Sequence, residues 1–317
     1  MTLPPETDQY RGPGTDPVLP AGEIELGLDS GFAPEPVSQW KLFRRRFFRH
    51  RVALVALAGL ILITIACFAV HWIVPFDPNK QDLLATPAGP NATHLLGTDE
   101  LGRDQLARIL SAGQLSLKIG FSVAILSVAF GTMVGALAGF FGRWTDQGLM
   151  RLTDLFLVVP ELAILAVALE YWGHTGVVII LVLSALFWMP VARVVRGQVL
   201  SIREKEFVEA ARAAGASPKR IIVRHIVPNI IGPIMVNMTL AVTAAIITES
   251  TLSFLGFGVQ PPQTSWGQML SDAEGYVGTS KSYLIYGPGI AILLTVLCVN
   301  FIGDGLRDAF DPQSEKH

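Results

Sequence analysis

Six apolar runs, each long enough to cross a lipid bilayer, constrain this chain more than any other feature. About 20 consecutive apolar residues cross a hydrocarbon core of roughly 30 Å. Runs of that kind lie near 52–74, 115–141, 150–170, 176–196, 229–254 and 286–306. In lipid each segment must satisfy its own backbone groups, and runs of this length do so as helices. The expected fold is therefore all-α and polytopic, with six transmembrane helices. Composition agrees, with 51% hydrophobic and only 16% charged residues, against roughly 25% charged in soluble domains. The second run carries Gly120, Gly131, Gly135 and Gly139, small residues that let helices pack closely in lipid. Cys67 and Cys298 both fall inside apolar runs and read as packing residues rather than a disulfide or a metal pair. The first run starts too late for a cleavable signal peptide, so it reads as a retained anchor.

The net charge of -2 says little, because charge is segregated along the chain. Residues 1–38 are rich in Pro, Gly, Asp and Glu without apolar periodicity. They read as a disordered, solvated tail, with a regulatory tail as the alternative. Residues 39–51, including Trp40 to Arg51 (WKLFRRRFFRHR), form a basic aromatic amphipathic segment. Lys and Arg mark the cytoplasmic side of spans and aromatic rings anchor at the interface, which puts the N-terminus inside and makes anionic lipid a candidate contact. Residues 52–312 make up the six-helix domain, and 313–317 a short C-terminal tail. Six crossings return the C-terminus to the cytoplasm. The loop at about 198–228 carries Arg203, Lys205, Arg212, Lys219, Arg220 and Arg224, which places it inside as well. The segment after the first run is mostly acidic, and residues 256–285 hold a single base, Lys281; both fit the outside.

Within the basic loop, Glu206 to Asn229 reads as two short helices with a turn between them. Glu206, Glu209, Ala210, Ala211 and Arg212 are strong helix formers. Gly215 suits a left-handed C-cap. Ser217 then caps a second helix with Pro218 at its first position, Arg220 and Arg224 lie along it, and Pro228 is expected to close it. A helix-turn-helix that is apolar on one face and charged on the other suits docking to a soluble partner. The spacing Glu-Ala-Ala, three residues, Gly, then Val-Pro resembles the EAA loop of ABC importer permeases. Glu209, Ala210, Ala211, Gly215 and Pro228 fall on the motif positions, while His225 and Val227 depart from the general pattern. The RHIVPN form of Arg224 to Asn229 is similar to the peptide and nickel branch of that family.

Three further stretches resemble the same branch, of the DppC/OppC type: GTDELGRD (Gly97 to Asp104), ESTLSFLGFGVQPPQTSWGQML (Glu249 to Leu270) and NFIGDGLRDAFDP (Asn300 to Pro312). The resemblance covers residues 40–312. It implies a type I importer permease in the bacterial cytoplasmic membrane, paired with a second, related permease subunit, two ATP-binding subunits and an extracytoplasmic solute-binding protein. It also implies that Glu209 and its helix sit in a cleft of the ATPase. ATP and Mg would be used by those partners, with no cofactor or metal on this chain. Read physically, Thr98 or Asp99 is expected to cap a short helix through Glu100, Leu101 and Leu106. Asp99, Glu100 and Arg103 are then candidates for binding-protein docking. Gly256, Gly258, Pro261 and Pro262 should break the fifth helix, with Trp266 at the interface of a folded gate. Asp304, Arg307 and Asp308 are expected to pair across one turn.

No Gly-x-x-x-x-Gly-Lys-Ser/Thr, His-Glu-x-x-His or Gly-x-Ser-x-Gly motif is present. The chain therefore reads as a non-catalytic subunit, and no nucleic-acid partner is expected. Glu161, which follows Pro160 about ten residues into the third run, departs from the apolar residue usual in the family. A carboxylate at that depth costs roughly 2.5–3.5 kcal/mol, so Glu161 is a candidate for a wet substrate pathway, with Glu249 a second. Di- or oligopeptides lead as cargo. Nickel, glutathione or another small solute stays open within the branch, and a proton-coupled carrier or a non-transporting scaffold outside it.

Overall fold

The structure is a computed structural model that describes residues 39–82 and 88–310. The expected tails at 1–38 and 313–317 lie outside the described residues. Helices α1 (Gln39–Phe47), α2 (Arg51–Phe68) and α3 (Val70–Ile73) come first. After an irregular stretch follow α4 (Gln105–Phe141), α5 (Arg143–Leu157), α6 (Glu161–Trp172) and α7 (Gly176–Ile202). Then come α8 (Glu206–Ala213), α9 (Pro218–Ile221), α10 (Ile231–Leu252), α11 (Trp266–Ala273) and α12 (Tyr283–Phe310). Five helical segments are long and apolar enough to cross a membrane, and six crossings result if the bent α5–α6 pair counts as one. Among the described residues the only extended pairing outside a strand is an isolated bridge between Thr98 and Asp104. Large apolar side chains such as Val55, Leu62, Ile125, Leu181 and Leu293 face outward, as a lipid-facing surface requires.

The α4–α7 pair is the centre of the bundle, and its contact follows from the sequence. Gly131, Gly135 and Gly139 recur every fourth residue and share one face of α4. A Cβ at Gly135 would sit 2.4 Å from the Ala192 carbonyl oxygen, and one at Gly131 2.6 Å from that of Trp188. The two backbones therefore touch, and any larger residue would drive them apart. The helix holding these glycines begins at Gln105, ten residues before the expected start. Asp104 provides the reason, since its Oδ1 accepts a hydrogen bond from the Ala107 N–H at 2.7 Å and caps the helix there.

The third run departs from expectation. Instead of one span across 150–170, α5 and α6 meet at an angle of 80°. Pro160 lacks an N–H and disfavours helix at Val159. In addition α5 places Asp146, Arg151 and Asp154 within its 15 residues, too polar a stretch for the middle of a bilayer. The fifth run departs the other way. The helical winding that starts at Pro218 carries through Pro228 as one rod up to a break at Gly256, so Pro228 does not close the second loop helix. A π turn at Ile222–Ile226 leads into a 3₁₀ turn at Val227–Ile230, and the Val227 N–H donates to the Ile222 carbonyl. The shifted pattern absorbs the missing proline donor. The rod ends as expected near the glycines, with Gly256 at φ +86.

Contacts sort the helix ends into two groups. At the loop end, a Cβ on Gly305 of α12 would meet Ala53 of α2, one on Gly232 of α10 would meet Phe310, and Arg203 donates to the Gly139 carbonyl at 2.9 Å. At the far end, Gly176 abuts Leu115, and a His174 ring nitrogen lies 3.2 Å from the Gly258 carbonyl oxygen. The α5–α6 pair leads from the first end to the second. Asp308 meets His50 of the α2 cap at 3.4 Å. Its ion-pair partner is thus outside α12, and among the described residues Asp304 and Arg307 form no ion pair across one turn.

Candidate functional site

The loop end carries a ledge made by α8, a turn and the start of the rod. Its turn is built by Gly215 at φ +78, with the Ala216 N–H donating to the Ala211 carbonyl at 3.0 Å and Gly215 N–H to Arg212 at 3.0 Å. This is the six-to-one closure of a Schellman cap, which needs glycine at that position. Ser217 Oγ accepts from the Arg220 N–H at 3.4 Å and starts the next helix. Val208, Ile221, Ile226 and Ile230 point into the bundle and are 0 to 1% exposed. Glu206, Glu209, Ala210, Gly215, Arg220, Arg224 and Pro228 are exposed, and Ala211 is half-buried. Phe207 is exposed beside them, an apolar tooth on a charged surface. Glu206 and Glu209 occupy the first turn of α8, where the helix dipole favours negative charge. The Arg212 guanidinium lies 6.0 Å from the centre of the Phe140 ring and ties the ledge to α4.

The far end treats its motif residues in the opposite way. Asp99 is buried and caps no helix. Its Oδ1 accepts from the Leu101 and Arg103 N–H groups, both at 2.9 Å, and its Oδ2 accepts from Arg103 Nε at 2.7 Å and Arg108 Nη1 at 2.6 Å. The expected short helix is replaced by this tight turn, in which Gly102 takes φ +70. Arg108 is buried too and reaches Asp272 of α11 at 3.5 Å. Trp266 is 1% exposed rather than interfacial. Its Nε1 donates to the Ile109 carbonyl at 2.8 Å and its N–H to Ser116 Oγ at 3.1 Å. Gly113 of α4 makes the room, since a Cβ there would lie 2.6 Å from the indole. A tryptophan whose N–H finds a partner can be buried whole. Glu249 of α10 is 0% exposed and accepts from Ser253 Oγ at 2.7 Å. These groups hold α4, α10 and α11 together.

Above this knot lies a cleft of about 380 Å³, lined by Glu100, Arg103, Asp272 and Tyr276 among others. Glu100 is exposed at its mouth. A hydrogen bond with the Tyr276 side chain, helped by Lys281 at 3.5 Å, holds its carboxyl below the usual carboxylate range. The same bond pushes the Tyr276 phenol up. Lys281 also stands 5.0 Å above the Tyr276 ring. Of the four candidates named here from sequence, Glu100 and Arg103 can meet a partner, while Asp99 and Trp266 shape the surface from beneath.

Glu161 stands at the α5–α6 elbow, exposed, in the first turn of α6. The free N–H groups of that turn favour its negative charge. The elbow is clamped to α7 by pairs that sequence reading did not single out. Arg196 grips Asp146 with two nitrogens, its Nη2 at 2.6 Å from Oδ2, and Arg193 Nη2 lies 2.5 Å from Asp154. The available signal was two arginines three residues apart at the end of an apolar run, with two aspartates just before and within the start of the preceding run.

The comparisons with known proteins agree with this geometry. Residues 131–316 match the family model described as the binding-protein-dependent transport system inner membrane component. Residues 38–90 match the N-terminal transmembrane domain of oligopeptide transport permease C. The chain is 40% identical over 282 residues to the oligopeptide transport system permease protein OppC of Mycobacterium tuberculosis, covering 88% of this chain and 97% of that one. It is 40% identical to the Haemophilus influenzae OppC over 87% of this chain and 89% of the relative. Among solved structures, the inward-facing MetNI methionine ABC transporter is similar in fold, with a TM-score of 0.52 and 19% identity over 64% of this chain and 96% of that one. Five to six apolar helices, an outward-facing charged ledge and these matches together identify the chain as a member of the binding-protein-dependent ABC transport permeases, of the OppC kind.

Proposed function

We propose that this chain forms half of the translocation pathway of an ATP-driven importer of di- or oligopeptides. The observation that carries the reading is the ledge, where an apolar side locked into the bundle carries an exposed face of Glu206, Glu209, Arg220 and Arg224. Such a rigid, charged protrusion transmits force from a soluble partner. Two ATP-binding subunits hold ATP and Mg and close around Glu209, and this chain itself catalyses nothing. A second permease subunit completes the pathway, and a solute-binding protein delivers cargo at the far end. The chain lies in the bacterial cytoplasmic membrane with six crossings, the α5–α6 pair counting as one, and with both termini in the cytoplasm. The peptide assignment is supported by the relatives named oligopeptide permease. Glu161 lines the pathway, where it meets the cationic amino terminus of a peptide, and Glu249 holds the pathway wall at the far end.

The test is ATP-driven peptide uptake by the reconstituted complex. Gly215→Pro or Glu209→Lys should lower uptake by at least about ten-fold, equivalent to about 1.4 kcal/mol of coupling, with insertion and subunit yield unchanged. Full uptake by either well-inserted variant would remove the docking role. Glu161→Gln should change the preference between cationic and neutral peptides.

A further inference from the structure

The basic segment before the first span orients the chain and is expected from its sequence to contact anionic lipid. It has a built geometry of its own. Arg44, Arg45, Arg49 and Arg51 are exposed along α1 and the turn into α2. Among the described residues none of these four has an ion-pair partner. Phe48 sits among them and is 62% exposed. The other side of the segment is fixed to the bundle. The Phe43 ring stacks on Phe310 at 4.2 Å between centroids. His50 Nδ1 accepts from the Ala53 N–H at 3.1 Å, and its Nε2 meets Asp308. The arginines are thus held where α2 enters the apolar layer, with an aromatic ring at the same level. An acidic soluble protein would match the charge but would leave Phe48 without a use. A phosphate headgroup with its first acyl carbons matches both.

We propose that α1 and the turn to Arg51 form a binding surface for anionic phospholipid, with Arg44, Arg45 and Arg49 on the phosphates and Phe48 at the acyl boundary. The inference rests on the membrane orientation proposed above. It also gives the lipid a route to the ledge. Phe310, on which Phe43 stacks, fills the space beside Gly232, where a Cβ would come within 2.8 Å of it. Gly232 lies in the first turn of α10, just past Pro228 at the base of the ledge. Lipid held on α1 braces that base through two aromatic rings.

The test titrates phosphatidylglycerol or phosphatidylcholine into the detergent-solubilised full-length chain, reading retained lipid by native mass spectrometry and the thermal midpoint. Phosphatidylglycerol should be retained and raise the midpoint, and added salt should weaken it. The triple variant R44Q/R45Q/R49Q should bind it ~100-fold more weakly, at roughly five-fold per arginine. Equal retention of both lipids, or unchanged phosphatidylglycerol affinity in the triple variant, overturns the proposal. So does a triple variant that loses affinity only for an ATPase subunit, which would assign the arginines to a protein. Phe43→Ala should keep the lipid but lose any stimulation of uptake by it. Uptake that proceeds without ATP would overturn the importer reading while leaving the lipid titration to stand or fall alone.

Discussion

The two ends of this molecule use family-motif residues in opposite ways. At the loop end the motif is worn outside: Glu206, Glu209, Arg220 and Arg224 face solvent while their apolar neighbours are buried. At the far end it is worn inside, where Asp99, Trp266 and Glu249 are 0 to 6% exposed and hold three helices together. The difference teaches that a recognisable motif marks either a contact or the scaffold of one, and that only depth separates them. It also predicts how each end breaks. The far end should fail by unfolding, the loop end by losing coupling while staying folded.

The sharpest break is Trp266→Ala. It opens a cavity against Gly113 and removes the indole donor to the Ile109 carbonyl, at a cost of about 3–5 kcal/mol, read as a lowered thermal midpoint in detergent. Asp99→Asn comes next. It removes the negative charge facing buried Arg108, and should cost about 1–3 kcal/mol by the same measurement, with uptake falling only as the folded fraction falls. Ser217→Ala at the loop end removes an N-cap and should cost about 0.5–1 kcal/mol. If it proved as damaging as Trp266→Ala, the contrast between the ends would collapse. The smallest effect is Tyr276→Phe. Glu100 titrates below its usual range in the folded chain, so its contribution is present above the unfolded pKa and lost as pH falls through the folded one. Removing the phenol should bring the folded-state value back toward the unfolded one, so the small contribution disappears at neutral pH, stability below the folded pKa stays unchanged, and the acid limb of the stability-versus-pH curve becomes shallower.

The glycine stripe Gly131–Gly135–Gly139 and the Gly215–Ser217 turn were legible because each is a local rule. One is a four-residue repeat on a helix face, and the other a cap with one residue type that fits. The α5–α6 bend was not, although Pro160 is plain in the sequence. Membrane helices tolerate proline where neighbours satisfy the freed groups, and what tips this one is the polar face of α5 clamped by Arg193 and Arg196 from α7. Asp99 and Trp266 were misplaced at the surface for a related reason. A charge and an indole read as interfacial until their partners are known, and the partner that lets Trp266 be buried is the Ile109 carbonyl, 157 residues away. The helix at 98–106 failed because Asp99 spends both oxygens on its own turn, leaving Asp104 to start α4.

The helical rod from Pro218 to the break at Gly256 has a mechanical meaning. At 1.5 Å per residue its roughly 38 residues span ~57 Å, so tilting one end by about one degree displaces the other by ~1 Å. A crank of that length has no slack to take up first. Backlash can enter only where its winding changes, at the π and 3₁₀ turns around Pro228 and at Gly256, and residues there set how much of a push survives the journey.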